Sequence, residues 1–205
     1  MSRSILLASA SASRYKLLID SGITPFVQVS NVDEEAIESS LGKVPTAELV
    51  VALASAKGEA VVDNITVTDS TNLLVIAADS MLEVDGVSYG KPGTPDVARA
   101  RWKLLRGSTG YLHSGHWVKD LVTGKIRTGT AGAVVEFGDV SDAEIDDYVA
   151  SGEPLGVAGG FTHEGRSSAF ITRIDGDVPA VAGMSMLLLR TLTADMGISW
   201  TSLWQ

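Results

Sequence analysis

The sequence predicts an α/β fold with a mixed sheet, and three of its features support that class. Short apolar runs alternate with stretches of helical composition along the 205 residues, a pattern typical of sheets covered by helices. Residues 73–78 are continuously apolar, which is typical of a central strand buried on both faces. The pairs Asp85-Gly86 and Thr123-Gly124 are turn signals, and each predicts a hairpin.

The elements of the first half follow from apolar runs and helix signals. Strands are predicted over residues 5–8 and 26–30, and the second runs into an acidic turn at 31–35. Helices are predicted over residues 14–19 and 45–62, the latter with a proline near its start. The strand at 73–78 ends at Asp79-Ser80.

The second half is predicted in the same way. Helices are expected over 94–105, from the capping box at Ser141 to about residue 151, and over 185–196. A long hairpin is predicted over residues 112–137, and a glycine-rich loop is predicted over residues 156–165. Because no linker rich in proline, serine or charge interrupts the chain, residues 1–205 are predicted to form one domain. The tail at 198–205 has no predicted role.

Composition excludes several function classes. The net charge is −9, from 16 basic and 25 acidic residues, which disfavours binding to long nucleic acid. The absence of cysteine rules out disulfides, thiolate zinc sites and cysteine nucleophiles. No segment approaches the ~20 apolar residues of a membrane span, and the N-terminal apolar run is too short for a signal peptide. We therefore expect a cytoplasmic protein that does not bind membranes.

Polar side chains cluster after the predicted strands, where ligands of open α/β sheets bind. The candidates are Ser9, Ser11 and Arg14 after the first strand, Asp33 and Glu34 after the second, Asp79 and Ser80 after the most apolar one, Lys91 in a Gly/Pro loop, and Lys57 in an alanine-rich helix.

Each candidate also has a structural explanation. The serines could be helix caps, the acidic run could be a solvated turn, and Lys57 could lie on the wet face of its helix. Asp79 differs, because a carboxylate next to a buried strand needs a partner or a function.

Taken together, the candidates indicate hydrolysis of a phosphoanhydride. That reaction needs oxygen ligands for a hard metal, a base for water and cations on the phosphates. Asp33, Glu34 and Asp79 could supply the ligands and the base, and the cations could be Arg14, Lys57 and Lys91. The phosphate loop and the serine-hydrolase elbow are both absent, and His113 and His116 have no matching carboxylate motif for zinc. Hydrolysis of a sugar phosphate or another small phosphate stays an open alternative.

Six segments of the chain, in order, are similar to those of a known family. They are LASASASRYKLL, SNVDEEAI, LASAKGEAV, IAADSMLEVDG with GKP, SDAEIDDYVASGEPLGVAGGF and FITRIDGDVPAVAGMSM. The sequence resembles the Maf family of nucleoside triphosphate pyrophosphatases, whose fold is related to that of the inosine triphosphatases. The resemblance implies an elongated, two-lobed mixed-sheet fold around a central cleft, and a homodimer.

The resemblance also implies a reaction and its residues. A nucleoside triphosphate would be cut to the monophosphate and pyrophosphate, clearing non-standard nucleotides, with a link to restraint of cell division. Asp79 would be the base, Glu34 and Asp79 would hold Mg²⁺ or Mn²⁺, and the phosphates would contact Ser9, Ser11, Arg14, Lys57 and Lys91. The alternative is a non-catalytic nucleotide-sensing regulator that uses the same pocket.

Three departures from the family pattern concern the base pocket. Ser13 stands where the family carries an arginine, Ser80 where it carries a threonine, and Glu164 where pyrimidine-specific members carry a glutamine. These positions are linked to base choice in the family. Both a methylated guanine and a uracil or thymine base therefore stay open.

Overall fold

The computed structural model describes residues 3–66 and 72–205. Within these ranges the chain forms seven β-strands and seven α-helices. The strands are β1 (Ser4–Leu7), β2 (Phe26–Val27), β3 (Leu73–Val84), β4 (Val87–Tyr89), β5 (Thr109–Asp120), β6 (Ile126–Phe137) and β7 (Ile171–Gly176). The helices are α1 (Ala12–Asp20), α2 (Glu34–Leu41), α3 (Thr46–Asp63), α4 (Pro95–Leu105), α5 (Asp142–Ala150), α6 (Val178–Val181) and α7 (Met186–Asp195).

The strands form one mixed sheet in the order β2-β1-β3-β5-β6-β7, and β4 pairs with β3. Strand β1 is parallel to both β2 and β3, whereas β4 is antiparallel to β3 and β7 is antiparallel to β6. The predicted α/β class with a mixed sheet is therefore confirmed. The β3–β4 hairpin turns at Asp85 and Gly86, with φ of 50° and 76°, the positive values that a tight hairpin turn requires.

Two compact units divide the chain. Unit one comprises Met1–Asp79, Ser114–Ala131 and Gly183–Gln205, and unit two comprises Ser80–His113 and Gly132–Ala182. The boundaries fall inside β3, β5 and β6, so each of these strands contributes to both units.

The core of unit one explains why residues 73–78 are apolar throughout. One set of buried side chains includes Leu74 and Ile76, and the other includes Leu73, Val75 and Trp117. Successive residues of a strand point to opposite faces, so both faces of β3 are covered. Helix α3 lies very close to β5, because a Cβ added at Gly115 would come within 2.4 Å of the Val50 backbone.

An aromatic cluster forms the core of unit two. Trp102 of α4 is fully buried and packs edge-to-face against Phe137, Tyr148 and Phe170. Its indole nitrogen donates to the Gly160 carbonyl at 2.8 Å. The buried tryptophan therefore anchors the glycine-rich loop as well as filling the core.

The predicted end of the strand at Asp79 is wrong, because β3 continues to Val84. Residues 82–84 pair with β4, and Met81 and Leu82 are buried. A carboxylate can lie inside this strand because it has a cationic partner, described below.

Two other predictions near the N-terminus are also corrected. The strand predicted over 26–30 ends at Val27, since β1 ends at Leu7 and offers no partner beyond it. The acidic turn is instead the start of α2, a helix that was not predicted. Asp33 caps this helix by accepting from the Ala36 amide at 3.0 Å, and acidic side chains in a first turn suit the helix dipole.

The C-terminal tail, which had no predicted role, closes the core of unit one. Ile198 and Leu203 are buried in it, and Trp200 packs against it. The Gln205 amide donates to the Gly22 carbonyl at 3.0 Å. Over residues 3–66 and 72–205, no helix is long and apolar enough to cross a membrane.

Candidate active site

A buried lysine of unit one lies between two carboxylates. Lys57 Nζ is 2.5 Å from Asp79 Oδ1 and 3.0 Å from Glu34 Oε1. Lys57 and Asp79 are 7% and 6% exposed, whereas the Glu34 side chain is 38% exposed. The alternative that Lys57 lies on the wet face of α3 is therefore wrong, and the expectation that Asp79 has a partner is confirmed.

The position of Lys57 follows from the periodicity of α3. The buried residues of this helix recur at three- and four-residue intervals and include Val50, Leu53, Ala54, Lys57 and Val61. Lysine therefore occupies the stripe that an amphipathic helix turns toward the core. The sequence carries this signal, since a lone cation in an apolar stripe is buried only with partners.

Two more charged groups belong to this cluster. Burial lowers the pKa of Arg14, while the negative charges of Asp79 and Glu34 act to raise it. Burial raises the pKa of Glu38, and the charges of Asp79 and Glu34 raise it further. Sequence reasoning missed Glu38, although it lies one turn after Glu34 on α2. We call these five residues the charged cluster: Arg14, Glu34, Glu38, Lys57 and Asp79.

The serines around the start of α1 form local hydrogen bonds. Ser11 caps the helix and accepts from the Arg14 amide at 3.4 Å, so it acts as a helix cap. Ser9 accepts from the Ser11 amide at 3.2 Å and from Arg14 Nη1 at 3.1 Å. Arg14 Nε also donates to the Gly183 carbonyl at 2.9 Å. The first turn of α1 thus orients the guanidinium, and Ser13 lies half-buried within it.

The remaining predicted residues belong to unit two. Lys91 is exposed in the loop between β4 and α4, which is held by Gly93 N donating to Leu155 O at 3.0 Å. Ser80 lies within β3 and is half-buried, and Glu164 is exposed in the loop after Phe161. Their participation in the site stays a prediction.

Both histidines of β5 have structural partners. His113 Nε2 lies 3.2 Å from Glu83 Oε2. The ring of His116 is fully buried, with Nδ1 donating to the Ser114 carbonyl at 3.1 Å and Nε2 accepting from the Ser185 amide at 2.8 Å. Because both ring nitrogens of His116 are used, this side chain fixes β5 to the start of α7.

The donor set of the charged cluster fits a metal that the substrate helps to bind. In the described part of the chain, no three acidic or histidine side chains are arranged to hold a cation by themselves. Glu34 and Asp79, however, both contact one ammonium group, so the two carboxylates lie close to each other. Mg²⁺ commonly takes one or two carboxylates together with substrate phosphates and water. These two carboxylates meet that requirement.

The chain matches the family described as Maf-like protein over residues 4–196. A relative from Streptomyces coelicolor named nucleoside triphosphate pyrophosphatase is 49% identical over 203 residues, which cover 98% of this chain and 95% of the relative. A relative of the same name from a Mycobacterium species is 43% identical over 208 residues, covering 100% and 99%. The solved structure titled "The structure of the Staphylococcus aureus Ham1 protein" is 16% identical with a TM-score of 0.49, covering 94% of this chain and 100% of that one.

Proposed function

We propose that this chain, which belongs to the Maf-like protein family, hydrolyses nucleoside triphosphates to the monophosphate and pyrophosphate. One observation carries the proposal: the buried Asp79 pairs with Lys57 inside strand β3, and the same ammonium group also contacts Glu34. The relative that is 49% identical to this chain is named nucleoside triphosphate pyrophosphatase, which supports the proposal. A buried charge pair with a second carboxylate is costly to maintain for stability alone, so a catalytic use explains its presence.

Asp79 is the general base of the proposed mechanism. Its Oδ1 accepts from Lys57 at 2.5 Å, and this contact orients the carboxylate that would take a proton from the attacking water. The water attacks the α-phosphorus, and pyrophosphate leaves. General-base catalysis by a positioned carboxylate contributes about 10²–10⁴-fold to the rate.

Positive groups bind the phosphates and stabilise the charge that builds on pyrophosphate as it leaves. In unit one these groups are Lys57 and Arg14, and the hydroxyls of Ser9 and Ser11 lie beside Arg14. Arg14 donates from Nε and Nη1 to protein oxygens, and this orients its guanidinium. Lys91 of unit two is proposed as the further cation.

The metal in this proposal is Mg²⁺ or Mn²⁺, held by Glu34 and Asp79. When bound, it would neutralise phosphate oxygens and orient them for displacement. Glu34 is more exposed than Asp79, so it can leave Lys57 for the metal without opening the core. We further propose that the enzyme is cytoplasmic and homodimeric.

The proposed substrate is a non-standard nucleotide with a guanine-type base, such as a methylated guanosine triphosphate. An ionised glutamate only accepts hydrogen bonds, whereas a glutamine both donates and accepts. Glu164 therefore suits guanine, which presents two N–H groups on one edge, better than uracil. Small side chains at Ser13 and Ser80 leave room for a substituted purine.

A product analysis tests this proposal. The protein would be incubated with Mg²⁺ or Mn²⁺ and with guanosine, methylated guanosine, thymidine and uridine triphosphates, and the products separated by ion-exchange chromatography. We expect equal amounts of monophosphate and pyrophosphate, with the methylated guanosine substrate turned over fastest. Diphosphate with free phosphate would refute the assignment, and tight nucleotide binding without turnover would favour the nucleotide-sensing regulator instead.

A further inference from the structure

Glu153, which sequence reasoning did not select, is the centre of a hydrogen-bond network in unit two. It follows α5 in a short 3₁₀ turn, Glu153–Gly156. Its Oε1 accepts from the Arg166 amide at 2.9 Å, from Tyr148 Oη at 3.1 Å and from Thr162 Oγ1 at 3.2 Å. One carboxylate therefore connects α5 to both ends of the segment 162–166.

The segment closes on itself around this carboxylate. The Ser167 hydroxyl, which is fully buried, donates to the Thr162 carbonyl at 2.8 Å and accepts from the Thr162 amide at 2.8 Å. The Gly165 amide donates to Thr162 Oγ1 at 2.8 Å. A Cβ added at Gly165 would lie 2.6 Å from Glu153 Oε1, so the chain needs glycine there to approach the carboxylate.

The network favours an ionised Glu153. Burial raises the pKa of its carboxyl group, but hydrogen bonds from the Arg166 amide and the Tyr148 hydroxyl outweigh burial and bring the pKa below its ordinary value. An ionised carboxylate makes hydrogen bonds roughly twice as strong as those of a neutral acceptor. Glu153 thus holds the segment 162–166 in one conformation.

The segment 162–166 contains Glu164, the residue that the proposed function places against the nucleobase of the substrate. His163 is half-buried and Glu164 is exposed, between Thr162 and Gly165, which are both held by the network. Because the chain is fixed on both sides of the pair 163–164, the backbone of Glu164 has little freedom in its direction. Preorganisation of this kind is a source of selectivity, because the free loop otherwise loses conformational freedom on binding.

We infer that Glu153, together with Tyr148, is a positioning residue that sets base selectivity by fixing the 162–166 segment. This inference rests on the proposed function, since it assigns a role in nucleotide recognition to Glu164. Neither residue takes part in the chemical step. Their loss should therefore weaken binding of the preferred nucleotide and leave the charged cluster of unit one intact.

The test compares Glu153→Gln and Tyr148→Phe with the parent, and uses Asp139→Asn, an exposed carboxylate of the same unit, as the control. Dissociation constants would be measured by calorimetry for non-hydrolysable methylated guanosine and uridine triphosphates. For Glu153→Gln we expect the guanosine-to-uridine preference to fall by about tenfold, because an uncharged amide oxygen accepts more weakly at the Oε1 position and an amide nitrogen cannot accept the Arg166 amide bond that Oε2 accepts at 3.1 Å. Tyr148→Phe should act in the same direction with a smaller effect, and the control should not change.

Two further readouts separate positioning from a purely structural role. Inhibition by inorganic tripolyphosphate, which has no base, should be unchanged in both variants, and KM should rise more than kcat falls. A variant with lower thermal stability but an unchanged preference would overturn the inference. If Glu153→Gln does not fold, Tyr148→Phe decides, since it removes one hydroxyl and keeps the aromatic packing. Absence of turnover in the parent would refute the proposed function alone, because the preference is measured by binding.

Discussion

Asp79→Asn is expected to lower turnover by about 10²–10⁴-fold while the protein stays folded. Asparagine nearly keeps the volume of the side chain but cannot take a proton from water. The variant leaves Lys57 paired with Glu34, 3.0 Å away, so the ammonium keeps one anionic partner. The measurement is kcat at saturating nucleotide and metal, with circular dichroism to verify the fold.

Glu59→Gln is the matched control for Asp79→Asn. Glu59 lies two residues after Lys57 on the exposed side of α3, and its neutralisation changes the net charge by the same amount. Turnover of the control should equal that of the parent. Near-normal turnover in Asp79→Asn would mean that another group is the base, and Glu34 would then be tested first.

Lys57→Met should impair both stability and catalysis. Methionine replaces the stem of lysine and removes the ammonium group that Asp79 and Glu34 both contact, so Arg14 is left as the one cation of the charged cluster against three carboxylates. Breaking a buried pair by removing one partner costs about 3–5 kcal/mol in the free energy of unfolding. Loss of a group that stabilises the leaving pyrophosphate costs about 10²–10³-fold in kcat. Denaturant unfolding and steady-state kinetics measure the two effects.

The stability loss in Lys57→Met should depend on pH in a defined direction. Uncompensated carboxylates are protonated more readily in the folded protein than in the unfolded chain, so the folded state binds more protons and its stability falls as pH rises. The pKa of Glu38 is already raised in the parent by burial and by its acidic neighbours. The loss in the free energy of unfolding of Lys57→Met, relative to the parent, should therefore be largest at neutral pH and smaller at acidic pH. The control is Lys43→Met, which replaces an exposed lysine. If Lys57→Met lost only as much stability as this control, at every pH, the description of the charged cluster would be contradicted.

The sequence predicts the fold class and much of the charged cluster, because both depend on burial patterns. The apolar run before Asp79 indicates that this carboxylate is buried, and the periodicity of α3 contains the signal that Lys57 faces inward. The continuation of β3 beyond Asp79 could not be predicted in the same way. A charged and a polar residue in succession interrupt the apolar run, and only a partner from another element explains why the strand does not end there.

The division into units and the role of Glu153 depend on contacts that leave no local signal. The boundaries fall within β3, β5 and β6, so no flexible linker marks them in the sequence. Glu153 is recognised by backbone amides of Arg166 and Ser167, and every residue except proline carries such an amide. Neither feature could be found without the three-dimensional structure.

The central claim is that the charged cluster directs water to the α-phosphorus of a nucleoside triphosphate. Hydrolysis in ¹⁸O-labelled water, followed by mass spectrometry of both products, tests it most directly. Attack on the α-phosphorus places the label in the monophosphate and leaves pyrophosphate unlabelled, and we expect this result with the parent protein. Label in pyrophosphate would mean attack on the β-phosphorus with the same products, and it would contradict the account.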